Sequence, residues 1–273
     1  MKKRIVLTGM TSGIGKALVY KLVRDGYEVI GIARNETRLN DVALALKDAP
    51  GIFYPVVADF MSLTAVKAAV NTIYQRFSNG FDVLINNAAL VPKPKLLTED
   101  GFEAQYQVNH LIPVYLIESL LPLLKKADGM VITTSSDAHK RAKFDQNDLE
   151  GLKKYHSVRS YCRTKLYNVM MTNYYNDLNQ TIPFYAVHPG RVKTEIGTKN
   201  TSKLYAFLWR LFTRKGFEPE ETVSTYLMLI TEHKAPGYYY LGKPLSTKKE
   251  AENRAYIDML MTHTLTQLEY FLS

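Results

Sequence analysis

Short apolar runs alternate with longer segments of helical periodicity along most of this chain, and no other feature limits its fold as strongly. Six runs predict β-strands: Arg4–Thr8, Glu28–Ala33, Phe53–Ala58, Val83–Asn86, Met130–Ser135 and Phe184–His188. Five segments between them predict helices: Gly15–Arg24, Glu36–Lys47, Leu63–Phe77, Phe102–Lys125 and Tyr161–Leu178. Strands that are apolar almost throughout are typical of a parallel sheet covered by helices on both faces. The alternation therefore predicts an α/β fold, a doubly wound parallel sheet with right-handed crossovers.

The organisation of the chain predicts a single domain of the Rossmann type over residues 1–273. No repeat, low-complexity tract or linker interrupts the sequence, and α/β sheets of this length often form one unit. Two stretches, 137–160 and 191–218, depart from the alternation. Long loops past the strand ends of such sheets usually build the binding crevice, so we expect these two to form the walls of a substrate site.

Composition and charge exclude several classes of protein. With 46% hydrophobic and 22% charged residues, the chain is expected to be a soluble globular protein. No stretch approaches the roughly 20 apolar residues of a membrane-spanning helix. The apolar island Leu204–Phe212 is expected to form a substrate lid, with contact to a membrane surface as the alternative. The net charge of +9 is spread over short basic pairs, which argues against nucleic-acid binding. The one cysteine, Cys162, permits no internal disulfide and fits a cytoplasmic location.

The turn between the first strand and the first helix predicts a dinucleotide site. It reads T-G-M-T-S-G-I-G from Thr8 to Gly15. The free N–H groups at a helix start bind anions. Gly9 permits the tight turn, Gly13 lets the backbone approach a pyrophosphate, and Gly15 allows close packing of helix on strand. Because the spacing differs from G-x-G-x-x-G, the interpretation depends on the position of the turn at the first strand–helix junction. The residues expected to contact the cofactor here are Gly9, Thr11, Ser12, Gly13, Ile14 and Gly15.

The end of the second strand indicates which nicotinamide nucleotide binds. An acidic side chain there would bind the ribose hydroxyls and repel a 2′-phosphate. Position 33 is alanine instead, and Arg34 follows with a planar guanidinium that can pair with phosphate. This favours NADP(H) over NAD(H). The alternative is an arginine that is simply exposed at a helix start.

A tyrosine and a lysine four residues apart predict the reactive group. Tyr161 and Lys165 share one helix face. A phenol titrates near ~10, so at neutral pH it is a poor base. We expect the neighbouring ammonium, helped by the positive charge of a nicotinamide, to lower the phenol pKa by about two or three units. The Y-x-x-x-K pattern is common in proteins, so the catalytic interpretation depends on the nucleotide turn upstream.

Two serines and an asparagine are further candidates. Ser135 and Ser136 end the fifth predicted strand, where a hydroxyl at the crevice rim can hydrogen-bond a substrate oxygen. Spacing alone does not select one of them. Asn109 lies in an otherwise apolar helix, and a buried carboxamide needs partners. It is therefore either a structural hydrogen-bonding residue or part of a water relay.

Together these motifs resemble the short-chain dehydrogenase/reductase family over nearly the whole chain. In order, they are Thr8–Gly15, Asp59, Asn86-Asn87-Ala88-Ala89, Asn109, Ser135-Ser136, Tyr161 with Lys165, and His188–Thr194. Ala89 departs from the glycine usual in the family. The long Ser136–Tyr161 separation and the string Val108–Pro113 resemble the branch of retinol dehydrogenases and related carbonyl reductases, from which a retinoid substrate does not follow.

The resemblance implies roles in cofactor binding for five further residues. Asp59 and Phe60 would contact the adenine. Asn87 would lie near a cofactor ribose. Val192 and Thr194 would hold the carboxamide of the nicotinamide.

The resemblance also implies the catalytic roles. Tyr161 would exchange a proton with the substrate oxygen, and Lys165 would hold the nicotinamide ribose. Ser136, rather than Ser135, would polarise the substrate. Asn109 would connect Lys165 to solvent through water.

The predicted function is NADP(H)-dependent hydride transfer between nicotinamide and a small-molecule carbonyl or alcohol. The alternatives are a non-catalytic NADP(H)-binding regulator and an epimerase or dehydratase that uses bound nicotinamide transiently. No nucleophile elbow or metal-binding spacing of histidines predicts a hydrolase or a metalloenzyme. A homodimer through the helices near Phe102 and Tyr161 is one expectation, although Pro113 and Pro122 would disturb the first of them. The C-terminal helix could pack internally or across such a dimer.

Overall fold

A mostly parallel sheet runs through the molecule. The computed structural model describes residues 2–153, 155–178, 181–190, 216–232 and 234–272. Within them the strands are β1 (Arg4–Thr8), β2 (Glu28–Ala33), β3 (Ile52–Val57), β4 (Val83–Asn86), β5 (Met130–Thr134), β6 (Phe184–His188), β7 (Gly237–Tyr240) and β8 (Lys243–Pro244). Their order in the sheet is β3-β2-β1-β4-β5-β6-β7-β8. Strands β1 to β7 pair in parallel and β8 pairs antiparallel with β7. The predicted doubly wound α/β sheet is confirmed.

Helices cover both faces of this sheet. They are α1 (Gly13–Arg24), α2 (Glu36–Leu46), α3 (Leu63–Arg76), α4 (Ala104–Tyr106), α5 (Ile112–Lys126), α6 (Ser157–Leu178), α7 (Pro219–Thr231), α8 (Lys249–Glu252) and α9 (Arg254–Leu272). One apolar layer lies between the sheet and α1, α2 and α7, and a second between the sheet and α3, α5, α6 and α9. Ile5 and Leu7 join the first layer and Val6 joins the second. Because successive strand residues point to opposite faces, a strand covered on both sides is apolar throughout.

The strand order of the sheet reverses between β1 and β4. The chain places β2 and β3 on one side of β1 and then crosses to the other side of β1 to form β4. In open α/β sheets, ligands bind at the carboxyl ends of the strands at such a reversal. Thr8 ends β1 and Asn86 ends β4. The glycine turn and Asn87 therefore lie at the place where the topology puts a crevice.

The predicted bounds of β1, β2, β4 and β6 are confirmed, and those of β3 and β5 are corrected. Strand β3 begins and ends one residue earlier than predicted, and β5 ends at Thr134 instead of Ser135. Strand β3 is an edge strand, and most of its residues are exposed or only partly buried, with Val57 52% exposed. The hydrophobic pattern is weakest where the cover is incomplete.

The continuous helix predicted over Phe102–Lys125 is wrong. The chain forms the short α4, then a π-helical turn at Gln107–Leu111, then α5. Pro113 has no N–H to donate to the carbonyl of Asn109 four residues earlier. The N–H of Ile112 donates to the carbonyl of Gln107, five residues earlier, as in a π-helix. The disturbance expected from Pro113 is thus a local change of helix type.

The C-terminal third contains elements that the sequence analysis missed, namely α7, β7, β8 and α8. The first predicted loop, 137–160, is shorter than expected, because a 3-10 turn occupies Asp137–Arg141 and α6 begins at Ser157. Most of the second predicted loop, 191–218, lies outside the described residues, and α7 begins directly after it at Pro219. Helix α9 packs internally against α5 and α6. The described ranges contain no helix long and apolar enough to cross a membrane.

Candidate functional site

The glycine turn is tightly packed against the end of β4. Gly9 has a φ of +71°, and a Cβ there would lie 2.7 Å from the Cα of Ala88. A Cβ at Gly15 would lie 2.3 Å from the carbonyl oxygen of Gly9. Such distances are closer than van der Waals contact permits, so both positions require glycine. The predicted roles of Gly9 and Gly15 in the turn agree with this packing.

Hydrogen bonds from β4 hold the turn in place. The Thr8 hydroxyl accepts from the backbone N–H groups of Asn87 at 2.9 Å and Ala88 at 3.0 Å. The Asn87 amide donates to the carbonyls of Thr8 at 3.1 Å and Gly9 at 3.3 Å. The side chain of Asn87, predicted to lie near a ribose, therefore also fixes the turn. Thr8 has a structural role that the sequence analysis did not assign.

The start of α1 supplies the groups that an anion needs. Ser12 is the N-cap, and the first turn contains no acidic residue. Thr11, Ser12, Gly13 and Ile14 are partly exposed. At least three backbone N–H groups at a helix start have no partner within the helix, and the helix dipole favours negative charge there. The structure thus brings the predicted cofactor residues together at an exposed helix N-terminus.

The end of β2 presents a cation next to this turn. Ala33 is buried and Arg34 is exposed. Among the described residues, no carboxylate forms an ion pair with Arg34. Asn35 caps α2 by accepting from the N–H of Arg38 at 2.8 Å. The guanidinium of Arg34 is available to an anionic ligand.

The two residues predicted to contact the adenine follow β3. Asp59 is partly buried and accepts from the N–H of Met61 at 3.1 Å. Phe60 is 7% exposed and belongs to the apolar layer beside Leu63. Since the ring of Phe60 is in the core, any contact it makes with a nucleotide would come mainly from its backbone.

Ser136, Tyr161 and Lys165 come together at the carboxyl end of β5. The hydroxyl of Ser136 donates to Oδ1 of Asp137 at 3.3 Å and is near enough to the phenol of Tyr161 to lower its pKa. The ammonium of Lys165 lies 5.6 Å from the centre of the Tyr161 ring. Ser135 is 1% exposed and donates to the backbone carbonyl of Lys165 at 3.0 Å. The two serines therefore differ in position. Ser136 lies on the partly exposed rim and Ser135 holds α6 against β5.

The titration of this pair differs from the expectation. Burial raises the pKa of the Tyr161 phenol to about 12, and the nearby hydroxyl of Ser136 opposes part of the rise. Burial lowers the pKa of Lys165 to about 7. Desolvation disfavours both charged forms and outweighs their mutual attraction. In the protein without nucleotide, the phenol is not acidified as the sequence analysis expected.

Thr134 connects this pair to the nucleotide turn, and the sequence analysis missed it. Its carbonyl accepts from the Lys165 ammonium at 2.7 Å. Its hydroxyl donates to Oδ1 of Asn87 at 3.3 Å and lies 2.8 Å from the phenol of Tyr226 on α7. Because the single hydroxyl hydrogen of Thr134 goes to Asn87, the buried Tyr226 phenol is the donor in the second bond. Tyr226 and Thr134 carry no local sequence signal, since they meet across 92 residues.

Asn109 lies in the π-helical turn, 1% exposed. Its amide donates to the carbonyl of Leu90 at 3.0 Å and to the hydroxyl of Thr164 at 3.3 Å, and its oxygen accepts from the N–H of Leu90 at 2.8 Å. The side chain is thus a structural hydrogen-bonding residue next to α6. In the predicted water relay, the group that can bind the water is the backbone carbonyl of Asn109, because Pro113, four residues later, has no N–H to donate to it.

Part of the predicted site lies outside the described residues. These are Val192 and Thr194, expected at the nicotinamide, and the apolar island Leu204–Phe212. The described part of the crevice comprises the glycine turn, the ends of β2, β4 and β5, and the start of α6.

Comparison with known proteins identifies the family. A family model described as short chain dehydrogenase matches residues 3–204. Retinol dehydrogenase 13 of Mus musculus is 31% identical over 281 residues, covering 96% of this chain and 82% of the relative. A Streptomyces sp. (strain C5) protein named as a daunorubicin C-13 ketoreductase is 32% identical over 249 residues, covering 89% of this chain and 84% of the relative.

Solved structures share the fold at lower identity. The NADPH-bound carbonyl reductase from chicken fatty liver has a TM-score of 0.70 and 22% identity, over 90% of this chain and 99% of that one. The alcohol dehydrogenase of the archaeon Thermococcus sibiricus, complexed with 5-hydroxy-NADP, has a TM-score of 0.69 and 23% identity, over 90% and 100%. Together with the family model and the relatives, they lead to one conclusion: the chain belongs to the short-chain dehydrogenase/reductase family of oxidoreductases, in the branch that resembles retinol dehydrogenases.

Proposed function

We propose that this protein is an NADP(H)-dependent oxidoreductase that transfers a hydride between nicotinamide and a carbonyl or alcohol substrate. The observation that carries the proposal is the position of Ser136 beside Tyr161, with the ammonium of Lys165 5.6 Å from the Tyr161 ring and one helical turn further along α6. These groups lie at the end of β5, and the anion-binding start of α1 lies at the reversal of the same sheet edge. The arrangement supports both halves of the function, holding a dinucleotide and moving a proton.

The residues present fit a bound dinucleotide. The turn from Gly9 to Gly15 would take the pyrophosphate on the backbone N–H groups of Thr11, Ser12, Gly13 and Ile14. Asp59 and the backbone of Phe60 would face the adenine. Lys165 would hold the nicotinamide ribose. Lys165 is 2% exposed, and its ammonium donates to an uncharged oxygen, the backbone carbonyl of Thr134. When bound, the nicotinamide supplies or accepts the hydride.

Arg34 supports NADP(H) as the cofactor. It is exposed, follows an alanine, and pairs with no carboxylate among the described residues. A guanidinium can take a phosphate through two parallel hydrogen bonds, whereas the ribose of NAD(H) offers it only hydroxyls. The carbonyl reductase and alcohol dehydrogenase with the same fold hold NADPH and an NADP derivative, which agrees with this assignment.

The proton moves at the Tyr161 oxygen. In the reductive direction, the phenol donates its proton to the substrate oxygen, and the hydroxyl of Ser136 stabilises the negative charge that develops there. With a pKa of about 12, the phenol is fully protonated at neutral pH and ready to donate. Lys165, with a pKa of about 7, exchanges protons readily at neutral pH and can restore the phenol. The Asn109 carbonyl would hold the water that connects Lys165 to solvent.

The names of two relatives support a bulky substrate. One relative is named for retinol and another for daunorubicin, both much larger than a simple ketone. We expect a bulky carbonyl or alcohol whose oxygen lies at Ser136 and Tyr161.

Oxidation of NADPH with a panel of carbonyl compounds tests the function. The panel contains all-trans-retinal, daunorubicin and a small aliphatic ketone, and the loss of NADPH absorbance is followed. We expect turnover with a bulky carbonyl and a loss of at least about 1,000-fold in kcat for Tyr161→Phe, because proton transfer and oxyanion stabilisation are both removed. Tyr54→Phe, on the edge strand β3, is the matched control. A protein that binds NADPH tightly but oxidises none with any carbonyl would contradict the proposal.

A further inference from the structure

The turn that follows Ser136 holds both the backbone and the side chain of this serine. Its carbonyl oxygen accepts twice from His139, from the backbone N–H at 3.2 Å and from Nδ1 of the ring at 2.7 Å. Its hydroxyl accepts from the N–H of Ala138 at 3.2 Å and donates to Oδ1 of Asp137 at 3.3 Å. The position of the candidate polarising hydroxyl therefore depends on the 3-10 turn Asp137–Arg141.

The bond to Ser136 determines which nitrogen of His139 carries the proton. A carbonyl oxygen can only accept, so Nδ1 is the donor. Burial lowers the pKa of His139 below its usual value of 6.5, so the ring is neutral at neutral pH. A neutral ring with its proton on Nδ1 has only a lone pair at Nε2. Nε2 is buried, and within the described ranges no group donates to it.

The ring of His139 also connects the turn to the sheet. The residue is 0% exposed. Its ring packs edge-on against Tyr238 of β7, with centroids 4.9 Å apart and planes at 69°. Strand β7 is itself held by its parallel pairing with β6, the neighbour of β5. The donor to Ser136 is thus fixed by a contact with the rigid part of the molecule.

Packing against Tyr238 does not by itself require a histidine. A phenylalanine ring could make the same edge-on contact, and it would bury no unpartnered nitrogen, which is costly. What phenylalanine lacks is the Nδ1–H group that Ser136 uses. A buried polar atom without a partner is more often found where the residue serves a function. The chemistry of His139 therefore points to its bond with Ser136.

We propose that His139 is a positioning residue for the reaction, because its Nδ1–H bond holds Ser136 and thereby the hydroxyl that polarises the substrate oxygen. The proposal rests on the proposed function, since that function assigns Ser136 its role. The ring of His139 is fully buried, so it acts through the serine and not on the substrate. A small displacement of a group that stabilises charge in the transition state lowers the rate strongly.

Two substitutions separate the hydrogen bond from the packing. His139→Phe keeps a ring against Tyr238 and removes the donor, whereas His139→Asn keeps an N–H group close to the place of Nδ1 and removes the ring. We expect kcat for carbonyl reduction to fall about tenfold with phenylalanine and to recover to within about threefold with asparagine. NADPH affinity should change by less than about twofold in both. His263→Phe, on α9, is the matched control.

Stability should follow the opposite order, which a merely structural role would not produce. Phenylalanine fills the buried site, whereas asparagine leaves a cavity there. In chemical denaturation, we therefore expect His139→Phe to be more stable than His139→Asn although it is the slower enzyme. If kcat falls in proportion to stability in the two variants, the inference is overturned.

A Ser136→Ala background tests whether His139 acts through the serine. Without the hydroxyl there is nothing to position. We therefore expect His139→Phe to lower kcat by less than about twofold in that background. A tenfold loss that persists without the hydroxyl would contradict the inference.

Amide hydrogen exchange provides a readout that does not depend on activity. The N–H of Ala138 donates to the Ser136 hydroxyl, so its exchange rate reports on the position of that hydroxyl. Measured by NMR without nucleotide or substrate, exchange at Ala138 should be about tenfold faster in His139→Phe and return towards the original rate in His139→Asn. Unchanged exchange would overturn the inference even in a protein that reduces no carbonyl. Absence of carbonyl reduction in the original protein, together with the expected exchange rates, would refute the proposed function and still support the hold of His139 on Ser136.

Discussion

The glycine turn and the segment 142–150 are held by different kinds of contact. The glycine turn is fixed by backbone packing, such as the approach of Gly15 to the carbonyl of Gly9, and by short polar links to the end of the next parallel strand. The segment 142–150 is fixed by side chains of the C-terminal region: Gln267 bonds Glu150, Tyr256 stacks on Phe144 and Lys248 bonds the carbonyl of Ala142. Backbone packing tolerates almost no change, whereas side-chain contacts can be exchanged one at a time. We therefore expect substitutions at the glycine turn to have larger effects than substitutions that remove one side-chain contact.

The largest effect is expected on the nucleotide side, from Gly15→Ala. The new Cβ would lie 2.3 Å from the carbonyl of Gly9 and must displace the turn. We expect NADPH affinity to fall by at least about 100-fold, since several backbone hydrogen bonds to phosphate depend on the turn. Titration calorimetry measures this. Gly101→Ala is the control, because its φ is +86° and nothing lies within 4 Å of a Cβ there, so it carries backbone strain without a clash.

A second test concerns Lys165, whose ammonium bonds the carbonyl of Thr134 at the end of β5. Its pKa is lowered from 10.5 to about 7 in the folded chain, so the unfolded chain binds the extra proton between these values. Stability should therefore rise with pH across this window. Lys165→Met removes the effect. We expect the variant to be more stable near neutral pH by about 3 kcal/mol, with the gap closing towards pH 10.

Chemical denaturation at several pH values gives this stability difference. Lys47→Met replaces a lysine that is 64% exposed and should show no such closing gap. If the stability difference between Lys165→Met and the original protein stays constant with pH, Lys165 is charged in the folded protein over the whole range.

Arg34→Asp tests the nucleotide side alone. The substitution removes the cation and adds repulsion, so we expect NADPH affinity to fall about 30-fold and NADH affinity to change little. The KM for the carbonyl should not change. Arg24→Asp, at the far end of α1, is the control. Equal losses for NADPH and NADH would refute the assignment of a 2′-phosphate site.

The smallest effect is expected from Thr134→Val, at the connection between Asn87, Tyr226 and Lys165. Valine has nearly the same shape and removes the hydroxyl, which leaves the Tyr226 phenol and Oδ1 of Asn87 without this partner. We expect about a tenfold loss of NADPH affinity, the scale of a buried unsatisfied group. Thr134→Ser keeps the hydroxyl and should recover most of it. A serine variant as weak as valine would assign the loss to packing.

The sequence predicted features that depend on neighbours along the chain. The strand–turn–helix at Thr8–Gly15 and the bounds of β1, β2, β4 and β6 follow from local patterns, and the structure agrees with them. Ser136 was selected over Ser135 only through resemblance, and the buried hydroxyl of Ser135 gives the physical reason. The Tyr226–Thr134 bond and the Gln267–Glu150 bond join residues 92 and 117 positions apart. A single sequence contains no local sign of such pairs.

The effect of burial on Tyr161 could not be predicted for a similar reason. The Y-x-x-x-K spacing shows that an ammonium is near, but the sequence does not give the burial that raises the phenol pKa to about 12. The homodimer, the cytoplasmic location and the roles of the site residues stay predictions.

Transfer of deuterium from NADPH labelled at its transferable nicotinamide position tests the central claim most directly. With a bulky carbonyl substrate, the account predicts one deuterium on the new carbinol carbon in the original protein and negligible labelled product with Tyr161→Phe, detected by mass spectrometry. An unlabelled product would contradict direct hydride transfer and favour an epimerase or dehydratase. Full labelling by Tyr161→Phe at the original rate would contradict the proton-transfer role of the phenol.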